Sequence, residues 1–299
     1  MNKNFFSRTL LWDASLLLVA MIWGYGFVIT KNALDVITPL YFLAIRFIAA
    51  GIIMFIIFNK QIRNAEKKDF KNGCIIGVFL ALAFITQTFG AKFTTPAKSS
   101  FITGLNVVLV PFILIFVTKK LPAKKAVFTA LLAFGGLSLL SLNGSLSIST
   151  GDFLTFLCAI FYACHIVSVG HFAGSSDALV IASVQILFTG VVCGILALFF
   201  EPFPSIVGTA TWMGIVYCTF LSTILAFLVQ NVAQRNTPSS HAAIILCLES
   251  VFGAICSAIF WHEVLTVRMI IGCTLIFVAI LINEVDFRSI IKGRASKTA

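Results

Sequence analysis

Ten uninterrupted apolar runs recur along this 299-residue chain, near 10–30, 39–58, 72–91, 97–118, 125–142, 152–170, 179–199, 212–233, 239–260 and 267–284. About 20 residues of helix span a hydrocarbon core of about 30 Å, whereas barrel strands are about ten residues of alternating polarity. Runs of this length and continuity predict helices, so the expected fold is an all-α membrane protein with ten transmembrane helices. With 60% hydrophobic and only 11% charged residues, against about 25% charged in soluble domains, the chain has more apolar surface than a soluble globule of its size can hide. The first run is too long for a cleaved signal and reads as a retained helix. The eight cysteines fall within or at the ends of apolar runs, and no C-x-x-C pair occurs. They read as small packed side chains, not disulfides or metal ligands.

The net charge of +10 is explained by where the basic residues sit. With the N-terminus inside, cytoplasmic segments hold sixteen of the 21 Lys and Arg; Lys31, Lys92, Lys98 and Arg268 fall outside, and Arg46 lies within a span. That bias places both termini in the cytoplasm of a multi-pass cell-membrane protein. The basic runs serve topology and contact with anionic lipid, not nucleic acid.

The halves resemble each other. At an offset of 142 residues, Ala91 lies over Ala233 and Thr95-Pro96 over Thr237-Pro238. Five helices per half is an odd number, so the second copy must enter the membrane upside down. The expected organisation is therefore two inverted five-helix repeats, 1–145 and 146–299, the second ending in a cytoplasmic tail. The loops 59–71 and 119–124 are strongly basic, whereas 200–211 and 261–266 carry Glu201 and Glu263 and no Lys or Arg. Inverted repeats mark transporters, with the substrate site near the midplane.

Glu249 lies at that depth, near the middle of "AAIILCLESVFGAICSAIF". A charge at a helix centre costs about 2.5–3.5 kcal/mol on insertion scales. It reads as a substrate-binding or coupling acid, or else as a structural acid, protonated or paired. Arg46 offers a fork for a substrate carboxylate, or snorkels outward, or pairs with an acid such as Glu249. Trp23 and Tyr25, spaced by Gly24 and Gly26, either stack on a ligand or pack. Ser99, Thr103 and Asn106 form one stripe at helical spacing; Gln87 and Thr94 share a face, as do Thr223 and Gln230; Tyr162 lies one turn before His165, which titrates near neutrality. Each polar group either lines a cavity or bonds a neighbouring helix. His262-Glu263 is not an H-E-x-x-H pair, and neither a metal site nor a cofactor is expected. Gly73-x-x-x-Gly77 and Gly190-x-x-x-Gly194 fit close helix packing.

Two stretches carry a family likeness. "WGYGFVITKNALDVITPLYFLAIRFIAAG" supplies Trp23, Gly24, Lys31, Pro39, Arg46 and Phe47; "LESVFGAICSAIFWHEVLTVRMIIGCTLIFVAILI" supplies Glu249, Glu263, Leu265, Thr266 and Gly272. In order, they resemble EamA-like drug/metabolite transporters across nearly the whole chain, with Ser250 where that pattern has Pro. The resemblance implies a secondary transporter, and in direction an exporter, of small metabolites such as amino acids or of drugs, not an enzyme. It would work by alternating access around a midplane cavity, as a monomer or homodimer; the sequence has no phosphate-cradling loop or ATP motif, so the drive is either coupling to a proton or other ion or the substrate's own gradient. An uptake permease, an intramembrane enzyme built on Glu249 and His165, and a receptor are the alternatives.

Overall fold

The computed structural model describes residues 3–141, 149–204, 207–264 and 266–284. The expected repeat boundary near 145, the tail beyond Glu284 and Leu265 lie outside these residues. The described residues form helices and short turns, with no strand among them. In chain order the helices are α1 (Lys3–Ala33), α2 (Pro39–Ile57), α3 (Lys67–Lys92), α4 (Pro96–Thr118), α5 (Lys124–Ser141), α6 (Thr150–Phe172), α7 (Ala178–Phe200), α8 (Thr209–Gln234), α9 (Ser239–Phe260) and α10 (Val267–Glu284). A single turn, Asn59–Arg63, follows α2.

Eight of these, α1 to α4 and α6 to α9, are long and apolar enough to cross a membrane. Of the ten expected, α5 and α10 are the two whose described residues do not reach that length and hydropathy. Lys124 and Lys125 open α5, Arg268 lies in the first turn of α10, and among the described residues their apolar stretches are Val127–Gly136 and Val267–Ala279. These two helices pack on each other. Outward-facing side chains such as Phe116, Leu198, Phe199 and Met213 are largely exposed, the surface that a lipid environment covers. All eight cysteines are free thiols.

Local chemistry sets the helix ends. Pro39 and Pro96 begin α2 and α4, where a missing N–H costs nothing. The next N–H groups need acceptors. Glu201 takes those of Leu40 and Tyr41 at 2.9 and 3.2 Å, and Glu263 takes the Thr95 hydroxyl at 2.7 Å and the Ala97 N–H at 3.4 Å. The loop acids of the second half therefore cap two helices of the first, where the helix dipole favours negative charge. Asp177 and Ser149 cap α7 and α6 from within their own chain segment.

Both α4 and α9 are broken near their middles. In α4 the break lies at Gly104-Leu105, between Thr103 and Asn106; in α9 it lies at Cys247-Leu248, between Leu246 and Glu249. At each break the backbone tightens to i−3 hydrogen bonds: Leu105 and Val107 in α4, Leu248 and Ser250 in α9. These residues correspond pairwise at an offset of 143. The α9 break forms with Ser250 in place of Pro. The breaks touch: the Ser250 hydroxyl donates to the Ser100 carbonyl at 2.8 Å, and the Cys247 thiol to the Gly104 carbonyl at 3.4 Å. A Cβ on Gly104 would collide with the Ser250 hydroxyl.

Packing repeats under exchange of the halves. Replacing α1 by α6, α2 by α7, α3 by α8 and α4 by α9 turns the α1·α9 contact into α6·α4, α1·α8 into α6·α3, and α2·α8 into α7·α3; α2·α7 and α5·α10 map onto themselves. All of these contacts are present. The glycine pairs behave as expected: Gly73 and Gly77 meet Val184 and Phe188, and Gly190 meets the Phe47–Ile48 backbone.

Candidate functional site

A pocket closes between the halves. It is lined by Trp23, Gly26, Phe27 and Thr30 of α1, Arg46 of α2, Phe84, Gln87 and Ala91 of α3, Tyr162 of α6, Ser222 of α8 and Glu249 of α9. The space open to the centre of a water molecule is about 30 Å³, room for roughly two waters.

The break in α9 makes Glu249 the first residue of a new helical segment and turns it onto the pocket. It is buried. Among the described residues it has no hydrogen-bond partner, and the ion pairs are Lys68–Glu66, Lys98–Asp152 and His241–Asp13, so no cation lies within ion-pair reach of it.

Arg46 is buried too, and it neither snorkels nor meets an acid. Its Nε donates to Thr223 Oγ1 at 2.6 Å and its Nη2 to Ser222 Oγ at 3.0 Å and to the Ser222 carbonyl at 3.4 Å. The guanidinium also lies over the Phe84 and Phe47 rings, 4.8 and 5.0 Å from their centroids, a cation–π arrangement. Those hydroxyls stand on a π-helical stretch of α8, Cys218–Leu225. A π stretch misaligns the backbone ladder and recurs at functional sites. Here the Ser222 carbonyl also accepts the Trp23 indole N–H at 2.9 Å, so two pocket residues of the first half anchor on one residue of the second.

Polar groups continue from the pocket. The Tyr162 hydroxyl faces Gln87 Oε1 at 3.5 Å, and Gln87 Nε2 donates to Thr103 Oγ1 at 3.3 Å. Phe84 stacks edge-on against Tyr162 and Phe227, and Trp23 packs on Phe227.

Of the ten residues singled out from sequence, Trp23, Arg46, Gln87, Tyr162 and Glu249 line the pocket and five do not. Tyr25 packs instead against Tyr217 and Phe260. Thr103 is one hydrogen bond removed, through Gln87. Asn106 donates to the Thr103 carbonyl across the α4 break, which interrupts the expected stripe with Ser99 and Thr103. His165 is fully buried behind Tyr162, its Nε2 2.7 Å from Gln185 Oε1. Gln230 is buried with its carbonyl oxygen unpartnered. Thr94 lies beyond the end of α3 and donates to Asp152 at 3.1 Å, so it shares no face with Gln87. Thr223 stands on the π-helical stretch and Gln230 beyond it, which shifts their expected common phase. Sequence reasoning missed Gly26, Phe27, Thr30, Phe84, Ala91 and Ser222. Gly26 and Thr30 lie one and two turns after Trp23; Phe84 lies one turn before Gln87; Ser222 carried no signal. Among the described residues no group of three or more His, Cys, Asp or Glu is placed to hold a metal.

A helical bundle of two related halves around a closed, charged pocket is the build of a membrane transporter. The model of the EamA-like transporter family matches the chain twice, over residues 10–142 and 149–284. The chain belongs to that family. It is 35% identical over 274 residues to an uncharacterized transporter of Archaeoglobus fulgidus, covering 90% of this chain and 84% of that one. It is 25% identical to the uncharacterized transporter YyaM of Bacillus subtilis, covering 86% and 88% of the two chains. A solved structure titled "Crystal structure of protein" superposes with a TM-score of 0.75 at 16% identity, covering 95% of this chain and 99% of that one; this likeness bears on the fold alone.

Proposed function

We propose that this chain is a secondary transporter that exports small metabolites or drugs across the cell membrane by alternating access around the Arg46–Glu249 pocket. In this reading α5 and α10 also cross, giving ten spans in two inverted repeats with both termini cytoplasmic; the distribution of Lys and Arg supports that orientation. One observation carries the proposal: Glu249, from the second half, faces a pocket shared with the first half and, among the described residues, has no hydrogen-bond or ion-pair partner. A lone buried carboxylate is costly when charged. A substrate cation or a proton supplies what the protein withholds, and competition between them is a coupling mechanism. The aromatic walls, Trp23, Phe27, Phe84 and Tyr162, suit an organic cation or an apolar side chain. With room for only about two waters, the pocket corresponds to an occluded state that must widen to admit a substrate. The pocket is complete within one chain, so a monomer suffices.

The test is flux into and out of proteoliposomes containing the purified protein, using a labelled panel of amino acids, related metabolites and cationic drugs. Saturable, gradient-dependent flux of one class above empty liposomes is expected. No flux for any member, with a gradient of either sign, contradicts the proposal.

A further inference from the structure

Two polar contacts, the Asp152–Lys98 ion pair and the Asp13–His241 hydrogen bond, stand on equivalent residues of the two halves. Residues 13–40 lie over 152–179 without a gap, 139 positions apart: Asp13 meets Asp152, and Trp23 meets Tyr162, both of which line the pocket. The same offset carries the first residue of α2, Pro39, onto that of α7, Ala178. On the partner helices the offset is 143. It carries the start of α4 onto the start of α9, Gly104-Leu105 onto Cys247-Leu248, and Lys98 onto His241. Lys98 Nζ lies 3.2 Å from Asp152 Oδ2, and His241 Nε2 lies 2.9 Å from Asp13 Oδ1. The first joins α4 to α6 and the second α9 to α1, the two helix contacts that exchange of the halves interconverts.

The contacts lie at opposite ends of the bundle. Asp152 also holds Thr94, in the α3–α4 connection. Lys31, at the end of α1, donates to the Ala91 and Lys92 carbonyls beside that connection. Asp13 lies eighteen residues earlier in the same helix, about 27 Å away, close to the thickness of a hydrocarbon core. The pocket residues Trp23 to Thr30 fall between the two contacts.

We propose that these contacts are the two gates of the transport cycle, each latching one mouth of the pocket. This deepens, and rests on, the transport reading above. Both are closed here, as the small pocket requires. Parting Lys98 from Asp152 frees α4 from α6 and opens the pocket toward the α3–α4 connection. Parting His241 from Asp13 frees α9 from α1 and opens it toward the α8–α9 connection. Because the residues are repeat-equivalent, one local movement performed by either half yields opposite access.

The experiment reads access, not flux, so it stands apart from the fate of the transport reading. Gln87→Cys places one thiol in the pocket of a chain otherwise free of cysteine. Its labelling by a membrane-impermeant thiol reagent is measured from each face, in right-side-out and inverted vesicles. Both partners are removed together, as Lys98→Ala/Asp152→Ala or Asp13→Ala/His241→Ala, so that no lone buried charge remains to impair insertion. Each double variant should raise labelling from one face only, and the two variants from opposite faces. The expected rise is about tenfold, the population change that roughly 1.4 kcal/mol of lost latch produces. The swapped variant Lys98→Asp/Asp152→Lys should restore the low rate. Labelling that stays unchanged in both variants, or rises from the same face or from both faces in each, overturns the gates. Failure of the gates would leave flux through the pocket possible; absence of flux would leave the access result readable.

Discussion

Arg46 and Glu249 face one pocket from opposite halves and are not a salt bridge: the guanidinium is bound by Thr223 Oγ1 at 2.6 Å and Ser222 Oγ at 3.0 Å, and the carboxylate meets no cation within ion-pair reach among the described residues. Arg46 ties α2 to the π-helical stretch of α8, and Glu249 faces the pocket with no such tie among the described residues.

Arg46→Gln should lower the melting temperature of the detergent-solubilised protein, since hydrogen bonds to a charged group contribute about 1.5–3 kcal/mol each. Arg46→Lys keeps the charge but not the fork and should fall between Gln and wild type. The loss caused by Arg46→Gln should be the same in a Glu249→Gln background as in wild type, because the two are not partners. A loss that shrinks by more than about 0.5 kcal/mol in that background would establish that they pair.

Gly104→Ala should destabilise the protein by about 1–3 kcal/mol, the range for overpacking, because the added methyl meets the Ser250 hydroxyl where the two broken helices cross. Gly135→Ala, which meets nothing within 4 Å, is the control and should leave the melting temperature unchanged or higher. Equal effects at both positions would mean that the crossing is not tightly packed.

Much of the fold was legible because it rests on hydropathy and spacing. Run length marked the helices, and the offset of 142 signalled the repeat, which the helices themselves follow at 139 in α1 and α6 and at 143 in α4 and α9. The breaks were not legible: Cys247-Leu248 has neither Pro nor Gly, and Gly104 alone does not announce a break. Faces drawn through α4 therefore ran across an interruption, which is why Asn106 misses the pocket. Glu249 was legible because a central acid is costly. The anchor for Arg46 was not, since no residue pattern marks a π-helical stretch and Ser and Thr usually bond their own helix.

Trp23→Phe keeps an aromatic ring beside Phe227 and removes the indole N–H bonded to the Ser222 carbonyl together with part of the bicycle. It should cost at least the contribution of one hydrogen bond, about 0.5–1.5 kcal/mol, and alter flux less than Trp23→Ala, which removes the whole ring from the pocket wall. Thermal melting and initial rates at matched protein levels check both. Identical flux for Phe and Ala would remove the ring from the substrate's surroundings.

A reporter fused after Ala299 should register as cytoplasmic in whole cells. Sixteen basic residues against four support this orientation, and with a cytoplasmic N-terminus it requires an even number of crossings. An external signal would contradict the proposal that both termini are cytoplasmic.

The central claim is that Glu249 is the group on which substrate and coupling proton compete. Its most direct test is initial flux of a transported compound against pH, in proteoliposomes holding equal amounts of wild type and Glu249→Gln. Wild-type flux should vary with pH, because the carboxylate must exchange its proton for substrate. The Gln variant should be folded and inserted, show a flat profile, and lose about 10- to 150-fold in apparent affinity, the equivalent of 1.5–3 kcal/mol for a charge-assisted contact. A Gln variant with the wild-type rate and the wild-type pH profile would make Glu249 a structural acid and contradict the claim.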